Sequence, residues 1–199
     1  MPALEPGAFE FIRVRLEPLV LAKTVNMLRD VRLVDETVGR KALRILHRYF
    51  RAGRTAGNMA WKHAGITDPL NELDFVELHD AYTSSEIQTY EDLGLCRYGE
   101  GGPFAESGKA FLPNIDYGLQ LRDKPACAVN PSGGLIACGH PVGATGLMQG
   151  VFALWQLQGT IDKHFGDGTL QIANAKKGAI HSHAGTGTYV TVSILEKGQ

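Results

Sequence analysis

The feature that most restricts what this chain can fold into is a glycine-dense stretch that runs straight into a helical pattern: Asn130-Pro-Ser-Gly-Gly-Leu-Ile-Ala-Cys-Gly-His-Pro-Val-Gly-Ala-Thr-Gly146. Gly133, Gly134 and Gly139 permit a sharp, close-packed turn with positive φ, which other residues adopt only at a cost. Pro141 suits the first turn of a following helix, where its missing N–H would be unpaired anyway. A short strand is expected just before, over Ala126–Val129, and a helix just after, over Val142–Gln158, so the segment reads strand, turn, helix. His140 is then expected where the loop meets a helix N-terminus, a place rich in free amide donors that stabilise anions and developing oxyanions. The plainer alternative is a glycine turn with His140 as a satisfied capping residue. A phosphate loop is not supported, because the stretch has neither GxxxxGK[ST] nor GxGxxG order.

The rest of the chain alternates strands and helices, which argues for a layered α/β domain. A helix is expected from Lys41 to Ala64, with Leu43, Leu46, Tyr49 and Phe50 at three- and four-residue spacing and Gly65 as its left-handed stop. Gly53, Ala56, Gly57 and Ala60 on that helix would admit another element close to its backbone. Leu73–His79 alternates apolar and polar residues and predicts a strand, followed by a helix from Asp80 to Leu93 with Thr83 and Ser84 as possible caps and Gly94 as its end. Residues 97–124 predict an irregular excursion, and 162–169 a loop. In the helix after Pro141, Leu147, Val151, Leu154 and Trp155 share one face, which is expected to be core. Two last strands, Ala179–Ala184 and Tyr189–Leu195, meet at Gly185-Thr-Gly187. Leu19–Met27 is a plausible strand, and residues 1–18 carry no readable pattern. The division expected is an N-terminal segment over 1–40 and one domain over 41–199.

Composition narrows the function classes. Lys+Arg number 20 against 21 Asp+Glu, without a polybasic run, which disfavours nucleic acid as a partner. Three cysteines without CxxC spacing disfavour a disulfide framework or zinc site and suit a reducing cytoplasm. The first residues have no signal-peptide pattern, and the apolar runs are shorter than the roughly 18 residues of a membrane span. Cys127 and Cys138 are expected to be small buried hydrophobes, and Tyr82 and Tyr90 packing residues.

The motifs themselves carry a resemblance. Asn130–Gly146 resembles the NxxGG…GHPxGxTG motif of thiolases, especially the archaeal and sterol-carrier-type (lipid-transfer-protein) branch. Glu77-Leu-His-Asp-Ala-Tyr82 with Glu86 resembles that branch's HDAF motif, and Ala52–Ile66 with Leu73–Phe75 is similar to the lead-in before it. His181-Ser-His-Ala-Gly-Thr-Gly187 stands where most thiolases have CxGGGxG and sterol-carrier-type members have His for Cys. The resemblance covers roughly residues 50–197.

The resemblance implies the C-terminal half of a thiolase-like layered α-β-α domain with a mixed sheet, acting on acyl-CoA. It implies that His140 lowers the nucleophilic cysteine's pKa and helps hold the thioester oxygen, and that His79 positions an oxyanion-hole water. His181 would be the second acid/base group, shuttling a proton at the substrate α-carbon. Gly139, Gly185 and Gly187 match backbone turns beside the substrate, and Tyr82 replaces a family Phe with a phenol able to donate to a substrate carbonyl. His183 stands where the family has glycine, a departure that crowds the oxyanion hole and bears on the Claisen step. An HxH pair on one strand also invites a metal reading, for which the sequence places no third ligand.

No cofactor is implied beyond coenzyme A as substrate or thioester carrier. No cysteine precedes Cys96, so the family's nucleophile has no match. The expectation is a fragment, a split subunit that pairs with an N-terminal half, or a chain that has lost activity. A homo- or hetero-oligomer and an OB-fold accessory protein are implied partners. The activity expected is 3-ketoacyl-CoA thiolysis or its Claisen reverse. The alternatives are a retro-aldolase on a 3-hydroxyacyl-CoA, such as a steroid side chain, or a non-catalytic acyl-CoA-binding subunit.

Overall fold

A computed structural model describes residues 51–185 and 188–198. The expected Leu19–Met27 strand, the 41–50 part of the first helix and Gly187 lie outside the described residues. The chain divides after Phe50, and the unit that starts at Arg51 holds every element described.

Its helices are α1 (Arg51–Ala64), α2 (Pro69–Glu72), α3 (Thr83–Asp92), α4 (Gly101–Ser107), α5 (Gly134–Cys138), α6 (Thr145–Gln158) and α7 (Ile161–Phe165). Its strands are β1 (Phe75–Glu77), β2 (Ala128–Val129), β3 (Lys177–Ala184) and β4 (Tyr189–Glu196). They form one sheet in the order β2-β1-β3-β4. β1 runs parallel to β2 and β3, while β4 returns antiparallel to β3, with His181 opposite Val192 and His183 opposite Val190. The mixed sheet expected of the α/β reading is the one observed.

Apolar residues pack on both sides of this sheet. Val76, Leu78 and Ala179 join Trp61, Tyr90, Leu93 and Leu95 in one cluster, while Phe75 and Ala128 join Ala153, Leu157 and Ile172 in another. The central strand is therefore sandwiched, and Phe75, Val76 and Glu77 are all buried. The alternation in Leu73–His79 suggests a half-solvated strand, but a central parallel strand is covered on both faces, and Glu77 is only 1% exposed. Burying each large apolar side chain of this kind stabilises the fold by about 1.5–3 kcal/mol.

Several local readings hold. Gly65 and Gly94 have φ of 69° and 73° just past the ends of α1 and α3. The small residues of α1 do admit a neighbour: a Cβ on Gly53 would lie 3.1 Å from Asp92 Oδ2, and one on Gly57 3.2 Å from Leu93 Cδ2. Trp61 Nε1–H seals that contact by donating to the Leu93 carbonyl at 3.0 Å.

Other readings need correction. α3 begins at Thr83 with Tyr82 as its N-cap and no side-chain cap bond, so Thr83 and Ser84 lie inside the helix. The 97–124 excursion contains α4, and the expected 162–169 loop contains part of α7, both short helices stopped by left-handed glycines at Gly108 and Gly166. The glycine stretch encloses α5, and Pro141 is not in α6, which starts four residues later. Instead Ala144 N–H closes a turn onto the Pro141 carbonyl at 2.8 Å.

The largest correction concerns α6. Leu147 is 75% exposed, Val151 42% and Leu154 46%, and Trp155 is only partly covered, stacked on His164. The face against the sheet carries Thr145, Gln149, Phe152, Ala153, Gln156 and Leu157. Periodicity finds an apolar stripe but not what covers it. Here backbone partners receive the buried amides: Gln156 accepts from Ile172 N–H at 3.0 Å and donates to Leu170 C=O at 2.6 Å, while Gln149 donates to backbone carbonyls through Nε2 and leaves its Oε1 without a partner. α6 thus carries apolar residues on its outer face as well as on the mixed face that meets the sheet.

Candidate active site

The site is assembled where the chain leaves the carboxyl end of β1, beside the far end of β3, which is where parallel sheets commonly place ligands. Past β1, Leu78 and His79 meet the 130–135 turn, and four side-chain bonds join the two segments. Leu78 N–H donates to Asn130 Oδ1 at 2.7 Å, and Ser132 donates through N–H and Oγ–H to the Glu77 carboxyl group at 3.0 and 2.6 Å. Leu135 N–H donates to Asp80 Oδ1 at 2.7 Å. The turn fits only because Gly134 lacks a side chain: a Cβ there would collide with the Asp80 carboxylate, and its φ is +66°. Gly133 and Gly139 have the expected positive φ of 92° and 84°.

This clamp delivers His140. The histidine follows α5 rather than opening a helix, but its Nδ1 lies 2.8 Å from Thr145 Oγ1, the first residue of α6. One turn further along α6, Gln149 Nε2 donates to the His181 carbonyl at 3.1 Å and to the Glu77 carbonyl at 3.4 Å. α6 therefore ties together β1, β3 and the His140 loop.

Four imidazoles converge there. The ring of His79 lies 4.8 Å from that of His140, edge-on, and 3.9 Å from that of His183, tilted. His181 and His183 are 5.8 Å apart, and His79 N–H donates to His181 Nδ1 at 3.4 Å. His79 and His181 are buried, at 3% and 2% exposure; His183 is half-buried and His140 is exposed. Burial lowers His79 to about 4, helped by the nearby His183 and His140, and burial lowers His181 to about 3, helped by His183 and His79. Burial, then His140, also lowers His183. The two buried rings are therefore neutral at physiological pH, able to accept a proton or a hydrogen bond. His79 Nδ1 is buried without a hydrogen-bond partner.

The other candidate residues are more dispersed. Gly185 turns β3 into β4 with φ 59°. Tyr82 is 72% exposed and is not a packing residue, unlike buried Tyr90, whose phenol donates to Glu86 at 2.6 Å. Cys127 is buried as expected, but Cys138 is exposed, its thiol 3.2 Å from the Ser132 carbonyl. Partial burial, then Glu77 and Asp80, raises the Cys138 thiol, the opposite of an activated nucleophile. Among the described residues no group of three or more His, Cys, Asp or Glu is placed to hold a metal ion. A cavity of about 390 Å³ lined by Glu86, Tyr90, Phe111, Tyr117 and Ser132, among others, has none of the four histidines in its wall.

Glu77, Asp80, Asn130, Ser132, Thr145 and Gln149 support the site and were not singled out from sequence. All but Gln149 lie inside the motifs, but nothing local marks them as buried hydrogen-bonding groups.

A family model described as thiolase C-terminal domain-like matches residues 44–197. The chain belongs to the thiolase family. This thiolase C-terminal domain is 36% identical over 149 residues to sterol carrier protein 2 from Homo sapiens, covering 75% of this chain and 24% of that protein. It is 36% identical over 169 residues to the acetyl-CoA acetyltransferase of Methanothermobacter thermautotrophicus, covering 85% of this chain and 35% of that one. The chain thus spans about a quarter to a third of the length of these curated relatives. A solved structure, the Ltp2-ChsH2(DUF35) aldolase, shares the fold with a TM-score of 0.54 at 21% identity, over 73% of this chain and 31% of that one. No helix among the described residues is long and apolar enough to cross a membrane.

Proposed function

We propose that this thiolase C-terminal domain supplies the acid/base half of an acyl-CoA C-acyltransferase, which cleaves a 3-ketoacyl-CoA with free CoA or runs the Claisen reverse. The observation that carries this reading is the meeting of His79, His140, His181 and His183 at one end of the sheet. Neutral buried imidazoles, such as those of His79 and His181, beside the more open rings of His140 and His183, are suited to moving a proton at the carbon next to a thioester and to orienting its oxygen. The archaeal relative's name, acetyl-CoA acetyltransferase, supports the same reaction class.

Thiolysis needs a thiolate to form the acyl-enzyme. The three thiols of this chain are all raised, Cys96 to about 12, so the nucleophile is proposed to come from a first thiolase half. The uncovered Leu147–Val151–Leu154 stripe of α6 is the surface proposed to receive it, because it continues from the loop that carries exposed His140. An OB-fold accessory protein is a further proposed partner; the solved neighbour's own name pairs Ltp2 with ChsH2(DUF35).

A second reading is favoured by His183 and by the neighbour's name, aldolase: retro-aldol cleavage of a 3-hydroxyacyl-CoA, which needs a base but no thiol. Incubation of the full chain, alone and co-expressed with a thiolase first half, separates the readings. Loss of acetoacetyl-CoA only when CoA and the first half are present supports the acyltransferase. Release of aldehyde or ketone from a 3-hydroxyacyl-CoA supports the aldolase. Binding of acyl-CoA without turnover overturns both in favour of a carrier subunit.

A further inference from the structure

Two histidines project from β3, and they sit in different environments. His181 is 2% exposed, and its Nδ1 accepts the backbone N–H of His79 at 3.4 Å. Its carbonyl is held by Gln149 at 3.1 Å. It is enclosed, and one of its ring nitrogens is already engaged in holding His79. His183, two residues on toward the β3–β4 turn, is half-buried and packs its ring 3.9 Å from that of His79.

We infer that His183, not His181, is the imidazole that takes the α-proton of the acyl-CoA, and that His181 is a positioning residue that holds His79. This rests on the acyl-CoA function proposed for the domain. In the step, the C2–H bond of the thioester breaks, and its proton goes to a neutral ring nitrogen of His183, which becomes imidazolium. The electron pair passes into the thioester as an enolate. The reverse step returns a proton from His183 to carbon. Two features support the assignment. A base that exchanges protons with substrate must be reachable, and His183 is the more open of the two strand histidines. Burial and His140 hold it neutral, so the lone pair is available at physiological pH.

The assignment also gives the departure from the family's glycine at this position a chemical purpose. An imidazole takes over proton transfer at a place where the family pattern has no side chain, and His181 is released for a structural task.

Deuterium incorporation at C2 of acetyl-CoA in D2O, followed by mass spectrometry, tests this on the full chain, with and without a co-expressed first half. The expected result is incorporation by the wild type, and its loss by about 100-fold or more in His183→Gly, the scale of a general base. Added imidazole, which fits the space left by the missing ring, restores exchange in His183→Gly. In His181→Gly it does not, because that site is sealed between strand and helix; there the loss accompanies a lowered melting temperature. Rescue of His181→Gly but not His183→Gly, or exchange that survives His183→Gly, overturns the assignment while leaving the acyl-CoA reading standing. No incorporation by the wild type in any assembly overturns both.

Discussion

Gln149 Nε2 lies 3.1 Å from the carbonyl oxygen of His181, a buried amide on a helix holding the strand that carries two of the four imidazoles. The same amide reaches the Glu77 carbonyl at 3.4 Å, and Thr145 one turn earlier holds His140. The site's geometry is therefore coupled to the seating of one helix.

Gln149→Leu keeps most of the volume and removes the donor. Stability is expected to fall by about 1–3 kcal/mol, the cost of leaving buried polar groups without a partner. Urea denaturation measures it, and an unchanged midpoint contradicts a bridging role for Gln149.

Thr145→Val removes the hydroxyl 2.8 Å from His140 Nδ1 at nearly constant shape. Fold stability is expected to drop by about 0.5–1.5 kcal/mol. The ¹⁵N shifts of the His140 ring should move toward those of a free, tautomer-averaged imidazole, while those of His181 stay in place. Unchanged His140 shifts would show that the hydroxyl does not set the tautomer.

Gly134→Ala places a methyl group against the Asp80 carboxylate and the Asn130 amide at a φ of +66°. The expected loss is about 1–3 kcal/mol from backbone strain alone, with the collision in addition. Thermal melting reads it, and Gly143→Ala, where a Cβ meets nothing within 4 Å, is the control with little change.

Stability should depend on pH in two opposed ways. Glu77 is raised from 4.5 to about 7, chiefly by burial, so its contribution is fully present below about 4.5 and lost as pH rises through about 7. His79 and His181 are lowered from 6.5 to about 4 and about 3, so theirs is present above 6.5 and lost as pH falls through those values. Between pH 4.5 and 6.5 the contributions of His79 and His181, to which lowered His183 adds, rise against those of Glu77 and the likewise raised Glu86, and stability climbs with pH. Glu77→Gln removes its own share of the opposing part, so melting temperature should climb more steeply over that window. A variant curve parallel to the wild type would refute the buried, protonated Glu77.

Much of the local structure was legible because it depends on neighbours in the chain. The positive φ at Gly65, Gly94, Gly133, Gly134 and Gly139, the final hairpin and the close approach at Gly53 and Gly57 all follow from side-chain size and backbone sterics. The histidine positions were legible as motifs. Helix starts were less so: α6 opens at Thr145 rather than Val142, because the turn at Pro141–Ala144 closes first.

Residue order and local sterics decide where this chain turns, where its helices stop and which histidines it carries. They do not decide what lies against what. Leu147, Val151 and Leu154 made the obvious core stripe of α6, yet the sheet receives Thr145, Gln149 and Gln156, since buried amides are stable wherever backbone partners await them. His79 and His181, 102 positions apart, share a hydrogen bond only because β1 and β3 lie side by side. Contacts of that range form through space, so a pattern read along the chain names the rings but only the packed sheet brings them together.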